Sequence, residues 1–280
     1  RKFNLSNTGY YANNGILTFN TTGSYYDSNG IGSSGRRNSI GEAFKLFEAT
    51  LGIDFQQTYG TYADLEFIDN YSGAFAWTPI ISNGSSNWSV VNIESSWNGY
   101  SSGYDSYTHE TILHEIGHAL GLGHQGNYNS TANYANAKFR NDCNNYSMMS
   151  YFTVSSGSSW PSAYINPNIE GDYCYAATPM VADWIALDNL YGSQGFGVAN
   201  AFTDDTTYGF NTNITSSTSD IWNSMSSLIP TMQFTIVDGG GNDTLDVSGF
   251  SNNQLIDLRS SDENDSNIYF SDIAGKNNNL

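Results

Sequence analysis

"HEIGHALGLGH", residues 114–124, holds three of the chain's four histidines and a glutamate within eleven positions. The longer run "YTHETILHEIGHALG" (107–121) reads as the clearest helix in the sequence. On a helix, residues i and i+4 share a face, so His114 and His118 project together. They can hold one metal ion through neutral imidazole nitrogens. Glu115 stands beside His114, where its carboxylate reaches a water on that metal. Gly121 is a natural helix stop because glycine takes left-handed backbone at little cost. The turn it makes can bring His124 round as a third ligand. Three protein ligands with one open position characterise catalytic rather than structural zinc. His109 is five residues from His114, off the shared face, and reads as an ordinary surface or supporting residue. By chance, HExxH arises in about one chain of this composition in several hundred. Adding the glycine and the third histidine makes it about one in several hundred thousand, which sets aside two ordinary core histidines.

Composition narrows the partners. The 280 residues suffice for one large domain or two modest ones with a real core. Acidic residues outnumber basic ones 27 to 9, for a formal net charge of −18. Nucleic acid is excluded as a partner, because phosphate binding needs clustered lysine and arginine. The carboxylates suit hard cations such as calcium. Only 13% of residues are charged, so serine, threonine, asparagine and tyrosine must supply the solvated surface, as in exported proteins. No apolar run approaches the roughly 18 residues of a membrane span. "RKFNLSNTGYY" lacks a signal-peptide core, which implies a removed leader or another export route. Cys143 and Cys174 form no CxxC, so redox and zinc-ribbon motifs are out. A disulfide between them fits an exported protein and would contribute about 3–4 kcal/mol if unstrained. Two buried thiols are the alternative.

Along the chain, "ILTFNTT" (16–22), "ADLEFID" (63–69), "AFAWTPI" (74–80) and "WSVVNIES" (88–95) read as strands. "NSIGEAFKLFEATLGIDF" (38–55) reads as a helix capped by Asn38 or Ser39. "TPMVADWIALDNLYG" (178–192) reads as another, with proline in its first turn and glycine at its end. Residues 122–178 are expected to be irregular. Beyond about 193 come short strand-like runs and one glycine-aspartate knot, "VDGGGNDTLDV" (237–247). The expected architecture is an α+β domain over 1–195 followed by an all-β region over 196–280.

The full HExxHxxGxxH pattern resembles the metzincin metalloproteases. Within that clan, "SMMSYF" (147–152) is similar to the Met-turn, with Met149 as the floor beneath the zinc and Tyr151 facing the metal. Matrix metalloproteases lack that tyrosine. Astacins have it but carry glutamate after the third histidine, where this chain has Gln125. The active-site helix, "PMVADWIALDNLYG" and "GGGNDTLDVSGFSNNQLIDL" resemble the secreted bacterial serralysins, the last being similar to the start of their RTX-type calcium-binding β-roll. Three features depart from serralysins: Gln125 in place of proline, two cysteines, and a single knot, as if the roll were truncated or partly lost.

The resemblance implies a metzincin-like protease domain with a twisted sheet, then a β-roll-like region. It implies a secreted, monomeric endopeptidase that uses Zn2+ and Ca2+ and acts on proteins or peptides without membrane or nucleic-acid partners. His114, His118 and His124 would hold zinc, with Tyr151 as a fifth ligand that leaves to stabilise the oxyanion. Glu115 would be the general base. Ala74, Phe75, Ala76 and Trp77 would form the edge strand that pairs with an extended substrate; a plain sheet strand is the other reading. "DGGGND" offers Asp238 and Asp243, and the resemblance adds Gly240 and the "FTDDT" segment. There the Phe202 and Asp204 carbonyls and the Thr206 hydroxyl would complete a calcium site. An astacin-like metzincin is the alternative within the class. An inactive zinc-binding protein and a calcium-dependent adhesion module are the alternatives outside it.

Overall fold

The computed structural model describes residues 2–6, 12–60, 62–80, 85–97, 103–155, 161–260 and 268–280. Its centre is a five-stranded sheet with helices packed against it. β1 (Lys2–Phe3) lies outside that sheet. β2 (Ile16–Asn20) leads into α1 (Ser34–Leu51), which is followed at once by β3 (Asp54–Gln57). β4 (Leu65–Ile68), β5 (Ala74–Trp77), β6 (Ser85–Ser86) and β7 (Ser89–Ile93) come next. The strand order is β3-β2-β4-β7-β5. Pairing is parallel except at the last position, where β5 runs antiparallel to β7 with Ala74 opposite Ile93 and Trp77 opposite Val90. β4 and β7 are buried along their whole length, as central parallel strands must be. β5 alternates instead, with Phe75 and Trp77 exposed.

α1 starts four residues earlier than the sequence suggests. Its cap is Ser33, whose side chain accepts from the Arg36 N–H, and not Asn38 or Ser39. Arg36 is buried, donating to the Ile93 and Glu94 carbonyls and pairing with Asp69, so this polar turn belongs to the helix. α2 (Tyr107–Leu120) packs beneath β5 and β7, capped by the Ser106 side chain. The irregular segment that follows contains β8 (Tyr175–Ala176) and ends at α3 (Val181–Tyr191).

The expectation of an all-β region after 196 is corrected by the structure. β9 (Thr207–Gly209), β10 (Met232–Gln233) and β11 (Thr244–Asp246) are short, and α4 (Ser216–Asn223) and α5 (Met225–Leu228) lie between them. The Thr215 side chain caps α4, and Ile221, Trp222 and Met225 are driven into the core. Trp222 gathers Phe202, Tyr208 and Phe234 around it, with ring centroids 5.6 to 5.9 Å away. α4 rests on α1, and one apolar cluster extends from Phe3 to Ile273 across residue 195. No helix among the described residues is long and apolar enough to cross a membrane.

The cysteines are a second correction. Cys143 and Cys174 are free, buried thiols, not a bridge. The Cys143 sulfur sits 3.6 Å from the side-chain oxygens of Asn144 and Asn145. Burial pushes the two thiols up to about 12 and about 11, so neither is a reactive thiolate near neutrality.

Candidate metal centre and cleft

The helical periodicity of α2 places His114 and His118 on one face. Gly121 ends the helix at φ 115°, and its N–H and that of Leu122 close on the last helical carbonyls. A side chain at Gly121 would strain this left-handed turn. The reversal carries His124 back over the helix. Its Nε2 lies 3.3 Å from His114 Nε2 and 3.0 Å from His118 Nε2. Among the described residues this is the one group of three or more metal-ligating side chains whose ligand atoms lie within 4.8 Å of one another.

The opposite ring nitrogens explain why the cluster suits a metal. His114 Nδ1 meets the Met148 carbonyl at 2.8 Å, His118 Nδ1 the Leu122 carbonyl at 2.9 Å, and His124 Nδ1 the Tyr128 carbonyl at 2.8 Å. A carbonyl only accepts, so each Nδ1 carries the proton and each Nε2 presents a bare lone pair. Three bare lone pairs facing each other repel unless a cation lies between them. Burial first, then the neighbouring imidazoles, hold His114 down to about 3 and His124 to about 4; burial also lowers His118. The donor set is therefore three neutral imidazoles, which fits zinc.

Glu115 is buried beside this cluster, and its Oε2 has no hydrogen-bond partner. Burial pushes its carboxyl up to about 8, so it holds a proton more readily than an exposed glutamate. A cleft of about 450 Å³ is lined by Glu115, His118, His124 and Tyr151 on one side and by Ala74, Phe75 and Ala76 on the other. β5 is an edge strand, and no described strand pairs with its outer side.

Met149 is buried. A Cβ at Gly117, between the two helical histidines, would stand 2.7 Å from Met148 Cε and 3.0 Å from Met149 Sδ. The Tyr151 ring lies 4.5 Å from the His124 ring and 6.0 Å from that of His114, centroid to centroid. Its hydroxyl meets the Ser130 backbone, and burial raises its pKa.

Sequence reasoning missed the groups that hold these parts in place. Asp183, in the first turn of α3, accepts from the Ser147 hydroxyl at 2.6 Å and from the Met148 and Met180 N–H groups at 2.7 and 2.9 Å. It thereby fixes the Met148 carbonyl that orients His114. Gln125 donates to the same Ser147 oxygen at 2.9 Å, tying the third histidine's loop to this turn. Asp142 accepts from both the Tyr128 and Ser150 hydroxyls, at 3.0 and 2.6 Å. The only sequence signal was two acids inside otherwise apolar or amide-rich segments. His109 is not a surface residue: it is fully buried between the Ser39 hydroxyl and the Ala177 carbonyl.

The suggested calcium residues are brought together in part. Parallel pairing of β9 with β11 sets the 203–206 loop against residues 238–243. The Thr206 N–H donates to Asp243 Oδ1 at 2.9 Å, and the Thr206 hydroxyl to the Asp204 carbonyl at 2.8 Å. Asp238 takes the Tyr208 hydroxyl at 2.7 Å and the Gly240 N–H at 2.9 Å. A Cβ at Gly241 would meet the Asp204 carbonyl at 2.7 Å and Asp243 Oδ1 at 2.9 Å, so hard oxygens crowd this glycine. Phe202 turns the chain into the loop at φ 40°.

Two family models match the chain: a reprolysin-like metallopeptidase of family M12B over residues 62–178, and the peptidase M10 serralysin C terminal over 198–280. The metallopeptidase AprA of Pseudomonas marginalis is 34% identical over 239 residues, 81% of this chain and 44% of that protein. Serralysin A of Dickeya chrysanthemi is 40% identical over 154 residues, 54% of this chain and 28% of that one. Serralysin of Proteus mirabilis is 36% identical over 178 residues, 62% and 31% of the two chains. A hatching-enzyme zinc-protease from the medaka Oryzias latipes aligns at 17% identity with a TM-score of 0.37, over 65% of this chain and 92% of that one, too slight a likeness to build on. Both matched regions and these relatives make the chain similar to the serralysin-type metallopeptidases, and the histidine cluster lies within the reprolysin-like match. It spans less than half the length of the AprA relatives it matches.

Proposed function

We propose that the chain is a secreted zinc endopeptidase that hydrolyses peptide bonds in proteins. The observation that carries this is the set of three bare Nε2 atoms beside a buried carboxylate whose Oε2 has no hydrogen-bond partner. His114, His118 and His124 would hold the ion. Zinc bound there would polarise a carbonyl and bring the pKa of water toward neutral. Glu115 takes the proton of the attacking water and returns it to the leaving amine, a role its raised proton affinity suits. The Tyr151 hydroxyl meets the Ser130 backbone while its ring packs on His124 and Tyr128; on substrate binding the hydroxyl would leave that contact to donate to the tetrahedral oxyanion. Its service as a fifth metal ligand in the free enzyme belongs to the same reading. The outer edge of β5, Ala74–Trp77, would receive an extended peptide by backbone pairing, with the Phe75 and Trp77 side chains turned outward.

Calcium is the second proposed ion. Phe202, Asp204, Thr206, Asp238, Gly240 and Asp243 would supply carboxylate, carbonyl and hydroxyl oxygens, the mixture calcium accepts. Its role would be structural, holding a β-roll-like region after residue 196 together, with the protease unit in 1–195.

Casein digestion tests the central reading. Digestion that stops with a zinc-selective chelator and returns with added zinc is the expected result. Undiminished digestion after zinc removal would overturn it.

A further inference from the structure

A second recess, of about 340 Å³, opens on the far side of Glu115. His114, Glu115 and Tyr151 are in its lining, and it shares Glu115 and Tyr151 with the cleft, so it adjoins the place where the scissile bond would lie. Its walls are aromatic: Trp97, Tyr107, Phe152, Tyr164 and Tyr173. The Trp97 and Tyr107 rings meet at 5.5 Å and an angle of 54°. Among these faces lies the carboxyl of Glu110, one helical turn before His114 on α2. One of its oxygens accepts the Ala176 N–H at 2.7 Å, which fixes the side chain against the wall.

Among the described residues no lysine or arginine lines the recess, and Glu110 takes part in none of their ion pairs. The acidic groups of the lining are Glu110 and Glu115, and its ring faces carry π electrons that attract cations. Burial pushes Glu110 up to about 7, the mark of a charge that lacks compensation. A cation entering the recess would supply it, adding cation–π contacts on several walls. The volume is at the small end for a ligand site, which suits one side chain rather than a folded segment.

We propose that this recess is a specificity pocket that takes the arginine or lysine side chain of a residue flanking the scissile bond, with Glu110 as the group that reads it. The inference rests on the endopeptidase reading. It adds a substrate class that the metal centre alone does not imply, since backbone pairing along β5 is blind to side chains.

The test is cleavage of a matched peptide set. Arginine, lysine, leucine, phenylalanine or glutamate is placed in turn on either side of the scissile bond, and kcat/KM is measured for each. The zinc-loaded protein is expected to favour arginine and lysine over leucine by about tenfold at one of the two positions, and to disfavour glutamate. In Glu110→Gln, which keeps an acceptor for the Ala176 N–H, the arginine-to-leucine ratio should fall by about tenfold. A ratio between substrates is not moved by a loss of folded protein, and the wild-type preference stands without any variant. Casein digestion with no basic preference, or a preference for phenylalanine at that position, would overturn the inference and leave the endopeptidase reading standing. Failure to cleave casein or any peptide would overturn both.

Discussion

The histidine cluster and the acidic loops after residue 200 both invite a cation, yet the protein builds them in opposite ways. At the cluster, each imidazole is tied down on its far side by a backbone carbonyl, and its near side is left bare. The backbone thereby sets the orientation of all three rings. In the loops, the carboxylates of Asp238 and Asp243 already accept protein hydrogen bonds from Tyr208, Gly240 and Thr206. An ion there must share oxygens with the fold, so its binding is coupled to loop order. Preorganisation should make the first site tight and chemical, and the second weaker and structural.

Three experiments sharpen or break that contrast. The largest effect falls on the reacting groups. Tyr151→Phe should lower kcat by about a hundredfold and move KM little, because the phenol would act mainly on the oxyanion. A change confined to KM would count against that role. Next is the support of the cluster. Asp183→Asn leaves one acceptor oxygen for the Ser147 hydroxyl and the Met148 and Met180 N–H groups, which the carboxylate serves with two. Zinc affinity should weaken about 10- to 100-fold through the freed Met148 carbonyl. Equal affinity in a competition titration would mean that His114 does not depend on this turn. The smallest is calcium. A calcium-selective chelator should lower the melting temperature by a few degrees and increase nicking after residue 195, with zinc retained. An unchanged melting curve would remove the second ion from the account.

The cysteines extend the contrast to covalent chemistry. Thiol titration of denatured, unreduced protein should count two thiols per chain, and a count of zero would restore the bridge.

What was legible in the sequence follows from the same contrast. α2 and its histidines are readable because helical geometry converts spacing directly into proximity. β5 was legible as a strand, and its expected place as an edge strand is the one it takes, beside the cleft. β3 was absorbed into the preceding helix: Asp54–Gln57 buries only Phe55, and Gly52 is its sole boundary signal. Ser33 was overlooked as a cap because "SGRRN" looks like surface, and only Arg36's burial against Ile93 and Asp69 makes it helix. α4 was hidden by serine and threonine, with its apolar positions reduced to Ile221 and Trp222. Asp142 and Asp183 were unreadable for a different reason. Apart from Met180, three residues before Asp183, their partners lie 8 to 36 residues away, and nothing local marks a buried carboxylate as a brace.

The central claim is that three histidines hold a metal on which Glu115 does proton work. Glu115→Gln separates holding from working. Zinc content and peptide hydrolysis are measured on the same preparation. The account predicts about one zinc per chain, as in the wild type, with kcat lower by about 10²- to 10⁴-fold. Near-normal turnover in the zinc-replete variant would contradict it.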